Sequence, residues 1–266
     1  MINMVRAGLY RLRPVAIPFA AFTALLLASL GLAATGALPP LSQAMRDLLG
    51  VAAPDGAAPC SPIDVAGRAG FDGNLLPYAA SLPCLILVAD DLGAGTFRTL
   101  LAARRSHLSY LLALLAIGLG SAALATALLL ALCVLALLAA GVPVAVGDAG
   151  AAAWWCVLSV LVSWCYATVV ASAALFARGP LTAWALYLAI ALGLAGRVLA
   201  LASVLLLGPD ASQGLVLLPS VSAAALGLGE EVLAVPGAGF KVAFHPIFWL
   251  VVGALAGYAR LRRRGF

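Results

Sequence analysis

Six apolar runs alternate with polar breaks along the chain. The first covers about 15–38, behind a short basic segment holding Arg6, Arg11 and Arg13. The second, 71–89, carries Pro77 and Pro83 and is short for a helix that crosses lipid unless it begins near Phe71 or is shielded by neighbouring helices. A third run, 108–140, is long enough to cross with tilt. The fourth, 151–177, ends at Arg178-Gly179-Pro180, and a fifth follows over 181–207. The last, 242–259, leads into Arg260, Arg262, Arg263 and Arg264. A hydrocarbon core about 30 Å thick takes roughly 20 apolar residues per helix, so the pattern predicts an all-α integral membrane protein with six transmembrane helices in a single domain.

Two of the connecting stretches are long. Residues 39–70 hold Arg46, Asp47, Asp55, Asp64 and Arg68 and are too polar to span; they are expected as an extracytoplasmic loop. Residues 208–241 are apolar but broken by Gly208, Pro209, Gly214, Pro219, Gly227, Gly229, Pro236, Gly237 and Gly239, which points to interfacial or re-entrant structure. The first run exceeds the roughly 7–15 apolar residues of a secretory signal core, so it is expected to stay as a helix.

Composition agrees with lipid as the solvent: of the 266 residues, 65% are hydrophobic and only 9% charged, too few charges to cover a soluble surface. The net charge of +5 does not indicate nucleic acid, because the arginines edge apolar runs and form no cluster with interleaved aromatics. They report orientation instead, since short cytoplasmic loops are rich in Lys and Arg. With both termini cytoplasmic, eleven of the fifteen basic residues fall inside: Arg6, Arg11, Arg13, Arg98, Arg104, Arg105, Arg178, Arg260, Arg262, Arg263 and Arg264. Arg46, Arg68 and Lys241 fall outside, and of the acidic residues only Asp90 and Asp91 lie inside. Arg197, within the fifth run, lies about 28 Å beyond Arg178 along a helix, near enough to the outer interface to snorkel. It is also a candidate contact for an anionic substrate or lipid head group.

Chemistry within the membrane is sparse. Cys60, Cys84, Cys133, Cys156 and Cys165 have no metal-ligand or redox spacing and read as packing residues. His107 and His245 fall at opposite faces, and no carboxylate lies mid-span, so no catalytic constellation and no metal site is expected. The same lack of an intramembrane acid disfavours an ion-coupled carrier, although broken helices can coordinate sodium through carbonyls. Gly118-Leu119-Gly120-Ser121 in the third run reads as a place where helices approach closely. No phosphate-cradling loop exists around the sole lysine, Lys241, so energy from nucleotide would have to come from another polypeptide.

The cytoplasmic segment from Ala89 to Tyr110 carries the most pattern. Within it, Thr96–Arg105 forms a short amphipathic helix on paper, with Phe97, Leu100 and Leu101 on one side and Arg98, Arg104 and Arg105 towards another. Such a helix can press into a partner's groove while its charges set the register. Asp90-Asp91, Gly95-Thr96, Leu100-Leu101 and Ser106 stand in the order seen where the second and third spans meet in permease subunits of the ABC-2 type, which this chain resembles. Ala103 or Arg104 stands where that family usually has Pro, and His107 where it usually has Arg. The resemblance extends to the layout of spans, the basic surface segment before the first, Ala174-Leu175-Phe176-Ala177-Arg178 closing the fourth, and the Arg-rich end.

The resemblance implies an exporter permease of the bacterial inner membrane. ATP and Mg would be bound by separate ABC ATPase subunits, and the permease would pair with a second copy or a homologous permease across a central path. Coupling to the ATPase would fall on Asp90, Asp91, Gly95, Thr96, Arg98, Leu100, Leu101, Arg104, Arg105 and Ser106. Without the resemblance, the same segment reads as an ordinary connector whose arginines meet anionic lipid, in a scaffold or biogenesis factor that transports nothing.

Overall fold

The computed structural model describes residues 61–72, 74–94, 107–139, 143–145, 147–191, 219–229 and 238–263, together with Tyr10 and Leu205. The described residues are all-helical in architecture, with no strand among them. In chain order the helices are α1 (Pro62–Gly67), a π-helical turn (Arg68–Asp72), α2 (Leu75–Gly93), α3 (His107–Ala139), α4 (Ala149–Phe176), α5 (Pro180–Ala191), α6 (Pro219–Gly227) and α7 (Ala238–Arg263). Among the described residues, α2, α3, α4 and α7 are each long and apolar enough to cross a bilayer, which makes this a multi-pass membrane protein. The predicted first span, 15–38, lies outside the described residues, and of the fifth only the part within α5 is described.

Local chemistry explains where these helices begin and end. Ser61 caps α1, its Oγ accepting from the Ile63 N–H at 3.3 Å, and Pro62 occupies the first helical position, where no N–H is needed. Asn74 breaks the chain before α2 by taking a left-handed conformation, φ 54°. Phe71 therefore sits in the preceding π-helical turn, and α2 starts at Leu75. Pro77, in the first turn of α2, removes a donor that would have had no intrahelical partner. At the other terminus α2 runs on through Asp90 and Asp91 to Gly93. Asp148 caps α4 by accepting from Gly150 N at 3.1 Å and Ala151 N at 3.2 Å.

Pro83 sits inside α2 and leaves the carbonyl of Ala79 without its helix donor. The carbonyls on either side of it take hydroxyls instead. Tyr187 of α5 donates to Tyr78 O at 3.0 Å, Ser81 donates to Tyr78 O at 3.1 Å, and Ser121 of α3 donates to Ala80 O at 2.6 Å. Neighbouring helices thus make a proline-containing helix tolerable at membrane depth.

At the centre lies α4, which touches α2, α3, α5, α6 and α7. Its small residues Ser159, Ser163, Ala167, Ala171 and Ala174 are all buried and let neighbours approach. Gly118 of α3 meets this surface: a Cβ there would lie 3.2 Å from Ala167 Cβ and 3.3 Å from Cys84 Sγ. Gly120 has open space around it, so of the pair only Gly118 serves close approach. On α7, Gly253 and Gly257 form a small-residue pair that the sequence reading passed over. A Cβ on Gly257 would lie 2.9 Å from Ser172 Oγ, and Ser172 donates to Gly253 O at 2.7 Å.

These contacts fix direction. Gly239 packs on Trp154, Gly253 on Thr168 and Gly257 on Ser172, so α7 and α4 run parallel in constant register. The edge-on contact of Phe71 with Trp155, ring centroids 6.1 Å apart, sets the start of α2 beside the start of α4. Helices α3 and α5 run the opposite way, returning from Gly93 and Ala177 respectively. The bundle consequently has two distinct ends. One gathers Gly93, His107, Phe176, Pro180 and Arg260; the other gathers α1, the π-helical turn, α6 and the starts of α2, α4 and α7. Buried apolar side chains continue between them, Leu85, Val88, Leu114, Leu175 and Leu261 towards the first and Phe71, Leu129, Trp155 and Leu226 towards the second.

Candidate functional site

The two helices that bracket the predicted coupling segment are joined at its base. Asp91, in the last turn of α2, is only 1% exposed, whereas its neighbour Asp90 is exposed. A carboxylate out of water is costly unless hydrogen-bonded, and Tyr110 meets that demand by donating its hydroxyl to Asp91 Oδ2 at 2.8 Å. Tyr110 is one turn into α3, so the bond closes the gap between α2 and α3 just before the segment joining them. His107, the first residue of α3, has Nε2 buried with no hydrogen-bond partner among the described residues.

Two further junctions meet the same end. The α4 to α5 corner comes against α2, a Cβ on Gly93 lying 3.8 Å from Pro180 Cγ. Arg260, near the end of α7, donates Nε to Leu175 O at 3.5 Å and sets its guanidinium carbon 5.3 Å above the centre of the Phe176 ring. Leu175 O belongs to the last turn of α4, whose carbonyls have no helix donors of their own, so Arg260 closes α4 as a C-terminal cation. Arg262 and Arg263 follow, exposed, and favour the negative end of the α7 dipole.

One end of the bundle therefore carries a buried acid held by a tyrosine, an exposed acid, an unpartnered imidazole nitrogen and the exposed arginines Arg178, Arg262 and Arg263. Asp90, Asp91, Arg178, Arg260, Arg262 and Arg263, which the charge distribution along the sequence puts on one side, share this end in three dimensions. Of the residues predicted for ATPase coupling, Asp90 and Asp91 are described, while Gly95, Thr96, Arg98, Leu100, Leu101, Arg104, Arg105 and Ser106 lie outside the described residues, as does Arg197. Neither the bond from Tyr110 nor the capping by Arg260 is among the expectations drawn from the sequence. Tyr110 had a signal: a tyrosine one turn past a polar segment, 19 residues after an acid, is where an antiparallel hairpin puts a donor within reach.

Side-chain contacts at this end connect α2 to α3, α2 to α5 and α4 to α7. The described cysteines Cys84, Cys133, Cys156 and Cys165 are free and lie among packed helices. No family model matches the chain, and no protein of curated function matches its sequence.

Proposed function

We propose that the protein is the membrane-spanning permease subunit of an ATP-binding cassette exporter of the ABC-2 type, with six spans and both termini in the cytoplasm of a bacterial cell, working in its inner membrane. A separate ATPase binds the segment between α2 and α3 and supplies the work. The observation that carries this reading is the buried Asp91–Tyr110 bond. It ties together the two helices flanking the segment that resembles a coupling element, so a push on residues 95–106 acts on α2 and α3 as one lever. The exposed arginines at the same end give an acidic partner surface its counter-charges.

The test is purification of the tagged full-length chain from its own host in mild detergent. An ATPase carrying a phosphate-binding loop should co-purify, and replacing Gly95-Thr96 and Leu100-Leu101 together should abolish that association without lowering the amount of chain in the membrane. Retention of the ATPase by the substituted chain would remove the coupling assignment. Absence of any such ATPase would favour the scaffold or biogenesis reading.

A further inference from the structure

The opposite end of the bundle is closed by α6, and the way it is fastened points to movement. Pro246 stands inside α7 and has no N–H, so the carbonyl of Val242, four residues earlier, loses its helix donor. Ser222 of α6 fills the vacancy, donating Oγ to Val242 O at 2.9 Å in a buried contact. A second tie comes from Trp155 of α4, which donates Nε1 to Leu226 O at 3.2 Å. Leu226 O also accepts from Gly229 N at 3.1 Å, and Gly229, at φ +67°, turns the chain back with its Cα against Asp64. Close packing adds to this: a Cβ on Gly67 of α1 would lie 2.6 Å from Leu226 O.

Directly below α6, the same face of α4 is polar. Trp155, Ser159 and Ser163 follow one another at intervals of one turn, and all three are fully buried. The hydroxyls of Ser159 and Ser163 have no hydrogen-bond partner among the described residues, an unusual condition for buried polar groups. By the register of α7 on α4, His245 lies level with Val160, and its Nδ1 is likewise buried and unpartnered. Three buried polar atoms with no partner among the described residues thus lie within about one helical turn of one another, beneath a short helix held by single neutral bonds from Ser222 and Trp155.

We propose that α6 is a lid, latched by Ser222 onto the carbonyl that Pro246 leaves free, and that its release opens the Trp155–Ser159–Ser163 face of α4 to uncharged hydrogen-bonding solutes from that end. A neutral bond of this kind is replaceable by water when the lid lifts, which suits a latch; without a helix donor of its own, Val242 O depends on Ser222 for a partner while the lid is closed, so losing the hydroxyl destabilises the closed state. The inference stands apart from the proposed ATPase coupling, because the lid can be assayed without nucleotide or transport.

The assay uses the full-length chain with its five cysteines replaced and Ser159→Cys as reporter, labelled in membranes by a small water-soluble methanethiosulfonate. Labelling should be slow with the latch intact and about five- to thirtyfold faster in Ser222→Ala. In the double variant Ser222→Ala/Pro246→Ala the rate should fall back, because alanine restores the backbone donor to Val242 O. Ser222→Thr, which keeps the hydroxyl, should label as slowly as the parent. Unchanged labelling in Ser222→Ala, or equally fast labelling in the double variant, would overturn the proposal. If Ser222→Ala does not accumulate in the membrane, Trp155→Phe, which removes the second tie, replaces it; faster labelling then supports the lid and unchanged labelling rejects it.

Discussion

The two ends of the bundle are built on different chemistry. At the end holding Asp91, helices continue to their last residues and are joined by a charged group and its donor, Asp91 with Tyr110, and by a guanidinium on a carbonyl and a ring, Arg260 with Leu175 and Phe176. At the end holding α6, the chain breaks into short helices, and neutral side chains, Ser222 and Trp155, bind backbone carbonyls. The first arrangement holds helix ends together, because a buried carboxylate that loses a donor is expensive. The second closes a surface with bonds that water can replace. Charged and neutral fastenings thus divide between opposite ends of the same helices.

Substitutions can test how far that contrast goes. The largest effect is expected from Trp155→Ala, which removes a fully buried ring packed on Phe71 as well as the tie to Leu226. Thermal unfolding in detergent should show a loss of about 3–5 kcal/mol, the range for large aromatic truncations in cores. A loss under 1 kcal/mol would mean that the α6 end contributes little packing and would weaken the comparison. Next comes Tyr110→Phe, which keeps the ring and withdraws the donor from Asp91. Hydrogen bonds to charged groups contribute about 1.5–3 kcal/mol, and a stability loss in that range is expected from the same measurement. If Asp91→Asn proves as costly as Tyr110→Phe, the charge rather than the bond holds the two helices. The smallest change, Arg260→Gln, loses an interaction with a ring face and a long bond to Leu175 O, and should cost about 0.5–1 kcal/mol. A larger cost there would make the cation cap, and not the Asp91 bond, the main fastening of that end.

Much of the fold could be read along the chain, and the exceptions have physical causes. The runs at 108–140, 151–177 and 242–259 announce helices because a bilayer demands long apolar segments with internal backbone bonding. The run with Pro77 and Pro83 was harder to place. Its extent depends on hydroxyls from α3 and α5, and on Asn74 turning left-handed, neither of which leaves a periodic signal. The role of residues 219–229 was legible only as broken structure; that they form a helix seated on α1, α4 and α7 depends on Trp155 and Ser222. As for the site, the acid pair and its neighbouring segment stood out by composition, yet nothing in the order of residues distinguished Asp91 from Asp90. Burial separates them, and burial follows from which face of α2 meets α3.

By itself, then, the sequence determined the solvent and the building material. Long apolar runs with charges at their edges can bury themselves only in lipid, and in lipid a helix satisfies its backbone from within four residues. Tertiary structure decided the fastenings. Carbonyls that proline or a helix end leaves free need donors from elsewhere, and here Val242 O and Leu175 O receive them from residues 20 and 85 positions away. Such pairings arise only when helices pack, because local pattern fixes where a helix runs and not which neighbour reaches it.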